Sequence, residues 1–245
     1  MVLPHLISIV GAGPGDPELL TIKALKRLKE ADVILYDALL GEEILELANP
    51  ASLKKYVGKI YNDGQNQCER QEAINNEILH WASAGKRLVR LKTGDPMVFA
   101  RGAEEMRFCR VNNINFEIIP GISAGLAASA LFSIPLTERG KSNMILFYTA
   151  NKENGGFYDV EPLVKVIQTG SPVMVYMGLN NLPKLAEELA GKGIDNATSI
   201  QILSNISQAG QKSWSTTFGE VAEFLKENKP ETPSVIIIGK HAQQI

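Results

Sequence analysis

His5-Leu6-Ile7-Ser8-Ile9-Val10 runs into Gly11-Ala12-Gly13-Pro14-Gly15-Asp16-Pro17, and Glu18 to Glu30 follows with a helical period. An apolar run that meets a glycine turn and then a helix predicts a buried strand, a tight loop and a crossover helix, the opening of a βαβ unit. The same alternation recurs outward from this stretch. Strands are expected at Asp32 to Tyr36, Lys54 to Gly58, Arg87 to Leu91 and Phe116 to Ile119. Helices are expected at Glu42 to Leu47, Arg70 to Ala84, Gly102 to Asn112 and Ser123 to Leu131. This order predicts a mostly parallel sheet with helices on both faces.

The pattern pauses at Pro135 to Asn143 and then restarts. Strands are expected at Met144 to Thr149, Val173 to Met177, Ser199 to Leu203, Lys212 to Thr217 and Ser234 to Gly239. Helices are expected at Val160 to Ile167, Leu182 to Ala190 and Glu220 to Asn228. The pause places a domain boundary near Gly140, giving an N-terminal α/β domain over 1–139 and a C-terminal α/β domain over 140–245.

Charge and composition narrow the function. With 25 Lys and Arg against 27 Asp and Glu, the formal net charge is −2, so the overall field favours neither nucleic acid nor an acidic membrane. No apolar run reaches the length of a membrane span. Cys68 and Cys109 lack neighbours at metal-ligand spacing, and His5, His80 and His241 are scattered, so no metal is expected. A reducing cytoplasm is the expected location.

The first loop has glycines at G-x-G-x-G spacing, not the G-x-G-x-x-G of a dinucleotide site. Pro14 stiffens it, and Asp16 would repel a pyrophosphate at the helix N-terminus. It suits a ligand that is not a polyphosphate, although the same residues also make a plain tight turn. Thr93-Gly94-Asp95-Pro96 repeats the theme after the strand that ends in Arg90-Leu91-Lys92. Asp95 there could hold an amine or ribose hydroxyls, or serve turn chemistry alone. Lys86, Arg87, Arg90, Lys92, Arg101, Arg107 and Arg110 concentrate positive charge, which would suit a polycarboxylate if several face one cleft. Arg107 and Arg110 also read as a solvated helix face.

The series Val10 to Thr21, Tyr36-Asp37, Gly58-Lys59, Gln71-x-x-Ile74-Asn75, Arg90-Leu91-Lys92, Gly94-Asp95-Pro96, Val98-Phe99, Arg101-Gly102, Pro120-Gly121, Pro135-Leu136-Thr137 and Tyr176-Met177-Gly178 resembles the tetrapyrrole methylases. Within that family it is most similar to the branch that methylates uroporphyrinogen III. The resemblance runs in order from Gly11 to about Gly239. It implies two α/β domains with the cofactor in a cleft between them, usually as a homodimer. The implied methyl donor is S-adenosyl-L-methionine, leaving S-adenosyl-L-homocysteine, and the implied product is precorrin-2 of sirohaem and cobalamin synthesis. The cofactor would touch Pro14, Thr93, Gly94, Asp95, Val98, Ser123, Ala124, Met177 and Ile206. Arg101, Arg139 and Glu138 would meet the substrate carboxylates, while Asp37 and Lys59 would transfer protons. A dinucleotide reading would instead give Asp37 to a ribose.

Three positions depart from that branch. Thr93 stands where it usually has glycine, Ala100 replaces a glycine before Arg101, and Glu138 replaces a histidine before Arg139. They leave open a later corrin-pathway precorrin methylase, or a non-catalytic tetrapyrrole or nucleotide binder.

Overall fold

The computed structural model describes residues 6–58, 67–152, 158–240 and 242–243. The chain divides into two compact units, 1–123 and 124–245, each with its own sheet. The division falls earlier than the boundary expected near Gly140. The small-residue helix Ala124–Leu131 falls in the second unit, where it contacts the last strand in chain order.

In the first unit the strands are β1 (Ile7–Gly11), β2 (Val33–Tyr36), β3 (Leu53–Tyr56), β4 (Leu88–Lys92) and β5 (Phe116–Ile119). They pair in parallel in the order β3-β2-β4-β1-β5. The helices are α1 (Ile22–Glu30), α2 (Glu42–Glu46), α3 (Gln67–Ser83) and α4 (Gly102–Val111). Two apolar layers result from the strands' period of two. Val10, Ile34, Val89 and Leu91 pack with Ala24, Leu28 and Ile44, while Ile7, Ile9, Val33, Leu35 and Leu88 pack with Ile74, Ile78 and Cys109. Each such side chain, fully buried, contributes about 1.5–3 kcal/mol.

The expected helix Glu18 to Glu30 is broken. Pro17–Leu19 forms a single 3-10 turn capped by the Asp16 carboxylate, which accepts from Glu18 N at 2.8 Å. Thr21 then starts α1 afresh, its hydroxyl accepting from Ala24 N at 3.1 Å. Two capping side chains within six residues compete with a continuous helix, and the caps win.

The second unit holds β6 (Leu146–Thr149), β7 (Val173–Tyr176), β8 (Ser199–Ser204), β9 (Lys212–Thr217) and β10 (Ser234–Ile238), in the order β6-β7-β10-β8-β9. Its helices are α5 (Ala124–Leu131), α6 (Glu161–Gln168), α7 (Leu182–Gly191) and α8 (Val221–Glu227). This second sheet is mixed. Only β6 and β7 are parallel, and β7-β10, β10-β8 and β8-β9 are antiparallel. Residues 205–211 join β8 to β9 without a helix, and so short a connection permits only an antiparallel pair.

Among the described residues no helix is long and apolar enough to cross a membrane. Nor does any group of three or more His, Cys, Asp or Glu among them form a metal cluster.

Candidate active site

The strand order β4-β1-β5 sets three loops side by side at the carboxyl edge of the first sheet, where ligands of open α/β sheets bind. The backbone laces them together. Gly13 N donates to Gly94 O at 3.2 Å, and Gly94 N donates to Gly13 O at 2.7 Å. A Cβ on Gly11 would lie 2.5 Å from Gly121 N and 2.6 Å from Gly94 O, so only glycine lets these loops approach. Gly13 and Gly94 also hold φ of 72° and 71°, the left-handed region. Asp95 is part of the lacing. Its carboxylate accepts from Met97 N at 2.8 Å and from Gly121 N at 3.1 Å, tying the loop after β4 to the one after β5.

Pro14 and Ser123 are buried beside these loops, and Thr93 and Val98 are half-buried. The Thr93 hydroxyl is buried without a hydrogen-bond partner among the described residues. A buried hydroxyl with no partner costs about 1–3 kcal/mol, and a ligand at the loops would relieve that cost.

The other half of the edge, β3-β2-β4, opens a cavity of about 290 Å³. Asp37, Leu39, Gly58, Arg70, Gln71, Arg90, Lys92, Phe99 and Arg101 are among the residues that line it. Arg90 and Lys92 share the face of β4 that carries Leu88, the face covered by α3 and α4. Two cations on a buried strand need anions. The Arg90 guanidinium donates from Nη2 to both Asp37 oxygens at 2.8 Å, and from Nε to Glu105 Oε1 at 3.0 Å. Its Nη1 donates to Leu91 O at 3.1 Å. Lys92 Nζ reaches the same Glu105 oxygen at 2.9 Å. Burial opposes the charge on Arg90, but Glu105 and Asp37 outweigh it and raise its pKa above the ordinary value. Lys92 is shifted down by burial and by the neighbouring Arg90 charge.

Of the other expected substrate residues, Arg101 lines the cavity with φ of 58°, strained for a side-chain-bearing residue, and donates to Glu104 at 2.6 Å. Lys86, Arg87, Arg107 and Arg110 are exposed and do not join the cavity, and Arg87 pairs with Asp32. Lys59 lies outside the described residues.

In the second unit, Ala124, Met177 and Ile206 gather at one sheet edge. β7 and β8 both run antiparallel to β10, so their carboxyl ends coincide there. Met177 follows β7 with φ of 54° and 53% exposure, and Ile206 is buried after β8. Ala124 opens α5, whose Gly125 N donates to the Tyr176 hydroxyl at 3.0 Å. Glu138 and Arg139 sit on a turn closed by Glu138 and Ser142. The Glu138 carboxylate pairs with Lys141 at 2.7 Å, while Arg139 is exposed.

Sequence reasoning missed Glu105. The signal was present, since Glu105 and Cys109 are spaced i,i+4 on the buried side of α4 while Arg107 and Arg110 face out.

A glycine-laced parallel sheet edge beside a charged cavity is the frame of a small-molecule enzyme. The family model described as Tetrapyrrole (Corrin/Porphyrin) Methylases matches residues 6–222. The chain belongs to this family. It is 39% identical over 236 residues to a uroporphyrinogen-III C-methyltransferase from Priestia megaterium, covering 96% of this chain and 97% of that one. It is 39% identical over 237 residues to a siroheme synthase from Psychrobacter arcticus, covering 95% of this chain but only 42% of the synthase. Among solved structures, a uroporphyrin-III C-methyltransferase from Thermus thermophilus complexed with S-adenosylhomocysteine is similar, with a TM-score of 0.82 and 37% identity. That match covers 96% of this chain and 97% of the other. The residues present fit a ligand of this kind: an unpaired buried hydroxyl at Thr93 stands beside backbone that only glycine allows to come so close.

Proposed function

We propose that the protein transfers methyl groups from S-adenosylmethionine to uroporphyrinogen III, giving precorrin-2. The observation that carries the reading is the adjacency, along one sheet edge, of the laced loops with their unpaired Thr93 hydroxyl and a cavity bearing Asp37, Arg70 and Arg101. When bound, S-adenosylmethionine supplies an electrophilic methyl group on a sulfonium. Pro14, Thr93, Gly94, Asp95, Val98 and Ser123 are the first unit's residues for holding it, and Ala124, Met177 and Ile206 are the second's. The nucleophile is a pyrrole carbon of the substrate, so the chain needs no activated Ser or Cys. Its residues orient and exclude water, which is worth several kcal/mol of the barrier, roughly 7–11 in the best intramolecular cases.

Arg101 and Arg139 bind acetate and propionate groups, with Glu138 beside Arg139 trimming that field. Asp37, with 32% of its side chain exposed at the cavity wall, takes the proton that leaves the methylated ring. Lys59 is the second proton-transfer group in this reading. The family resemblance supports a homodimer in the cytoplasm as well.

The test is incubation with S-adenosylmethionine and freshly made uroporphyrinogen III, with mass readout. Gain of two methyl groups is expected. A product only from a precorrin substrate would make the protein a later corrin-pathway methylase, and no methyl transfer to either would leave a binder. Asp37→Asn should lower turnover while cofactor affinity stays within about tenfold, about 1.4 kcal/mol. Collapse of affinity with a normal rate at saturation would make Asp37 a ribose ligand.

A further inference from the structure

Glu105 has no place in that proton transfer, yet it is a carboxylate with no side-chain exposure, held directly behind Arg90 and Lys92 of the cavity lining. Its Oε1 accepts from both Arg90 Nε and Lys92 Nζ, at 3.0 and 2.9 Å. Arg90 is 2% exposed, and each nitrogen of its guanidinium already donates: Nε to Glu105, Nη2 to Asp37 and Nη1 to Leu91 O. It therefore has no nitrogen left that is not already donating, and it acts on the cavity through Asp37. The charges balance, with Arg90 and Lys92 positive and Asp37 and Glu105 negative. Without Glu105, Asp37 would face two cations from β4 with only its own charge to balance them.

We infer that Glu105 is a positioning residue that fixes the Arg90 fork against Asp37 and, by offsetting one of the two β4 charges, keeps Asp37 able to accept a proton. The inference rests on the reading of Asp37 as proton acceptor. Among the described residues, the other charged groups lining the cavity beside Asp37 are two. α3 brings Arg70, and the segment before α4 brings Arg101, itself paired with Glu104. Val57 and Gly58, from the segment after β3, bring no charge.

The geometry demands effects of opposite sign from the two buried partners. Glu105→Gln keeps an acceptor and the shape but removes the negative charge. With one negative charge fewer beside it the carboxylate is the weaker base, and the acid limb of the kcat–pH profile moves down. The plateau kcat falls as well, because the base is weaker. Lys92→Gln removes one cation and moves the limb up. Affinity for S-adenosylmethionine, measured by calorimetry, stays within about tenfold in both, about 1.4 kcal/mol. In an Asp37→Asn background neither change shifts what remains of the profile.

General destabilisation cannot move the limb in opposite directions, so that pair of shifts separates positioning from mere support. If Glu105→Gln does not fold, the upward shift in Lys92→Gln decides alone. Unmoved limbs, or shifts of the same sign, overturn the role of Glu105. A normal kcat and an intact acid limb in Asp37→Asn by itself overturn the underlying reading of Asp37 instead.

Discussion

Glu117 offers a measurable test of how the first unit is held. It lies on β5 opposite Ser8 of β1, in strands that are otherwise apolar. Ser8 Oγ donates to its Oε1 at 3.0 Å, Arg27 donates to it as well, and Lys23 Nζ lies 2.8 Å from Oε2. Lys23 and Arg27 are one turn apart on α1, so this carboxylate anchors the helix to the sheet. Burial pushes its pKa up, but the donors from Arg27, Lys23 and Ser8 outweigh that and hold it at about 2, from an ordinary 4.5. At 1.36 kcal/mol per unit the shift is worth about 3 kcal/mol. The depressed value fixes the sign. The stabilisation is complete well above the unfolded value and is lost as pH falls toward the folded one. Linkage puts about 2 kcal/mol of it already gone by pH 3. Glu117→Gln should therefore lower stability by about 3 kcal/mol at pH 7 and by well under half that at pH 3. The chain's two tryptophans are Trp81 and Trp214, so a Trp214→Phe background leaves Trp81 to report on the first unit in urea melts. A gap between wild type and variant that is the same at both pH values, or wider in acid, would refute the argument.

Two further outcomes bear on the site. Gly94→Val forces a branched side chain into a φ of 71° where the loops after β1, β4 and β5 meet, and calorimetry should find S-adenosylmethionine binding abolished; retained affinity would place the cofactor elsewhere. Glu138→His removes a carboxylate now paired with Lys141 and frees that ammonium, so the Michaelis constant for uroporphyrinogen III should fall while cofactor affinity holds. A constant that is unchanged or higher, under conditions where binding is fast relative to chemistry, would move Glu138 away from the substrate carboxylates.

β1, β2 and β5 of the first sheet were legible because each is a short, largely apolar run that meets Gly, Asp or Pro, and burial on both faces makes such runs continuous. The break at Leu20-Thr21 was not, since Glu18 to Glu30 keeps an acceptable helical period through two residues that the caps at Asp16 and Thr21 pull out of it. The direction of the second sheet's strands was not legible, because buried strands look alike in either direction, and only the short 205–211 connection points to an antiparallel pair. Asp95 shows a different limit. Its position in a Gly-Asp-Pro turn suggested a ligand contact or a turn, and the structure adds a bond to Gly121 N, a residue far along the chain that local spacing cannot reveal. Arg90, Lys92 and Glu105 could have been joined by phase alone, from a period of two on β4 and of three to four on α4.

The strand order carries a consequence for catalysis. β4 is the one strand flanked by both halves of the edge, with β2 on one side and β1 on the other. The segment that begins on it therefore serves two tasks. Arg90 and Lys92 point into the cavity floor, Thr93 to Asp95 join the laced loops, and Phe99 to Arg101 return to the cavity wall. Methyl transfer needs the acceptor carbon, methyl and sulfur in line, and error in either partner's position is equally harmful. In the proposed reaction a single segment would support both partners and fix their separation through covalent geometry and a few backbone bonds, not through two independent loops. The ion-pair quartet of Asp37, Arg90, Glu105 and Lys92 then has a mechanical role beside its electrostatic one. It ties the near end of that segment to the residue after β2 and to α4. Its charged members thus stand where an apolar core would have supplied stability without direction, because hydrogen bonds specify angles that packing alone leaves free.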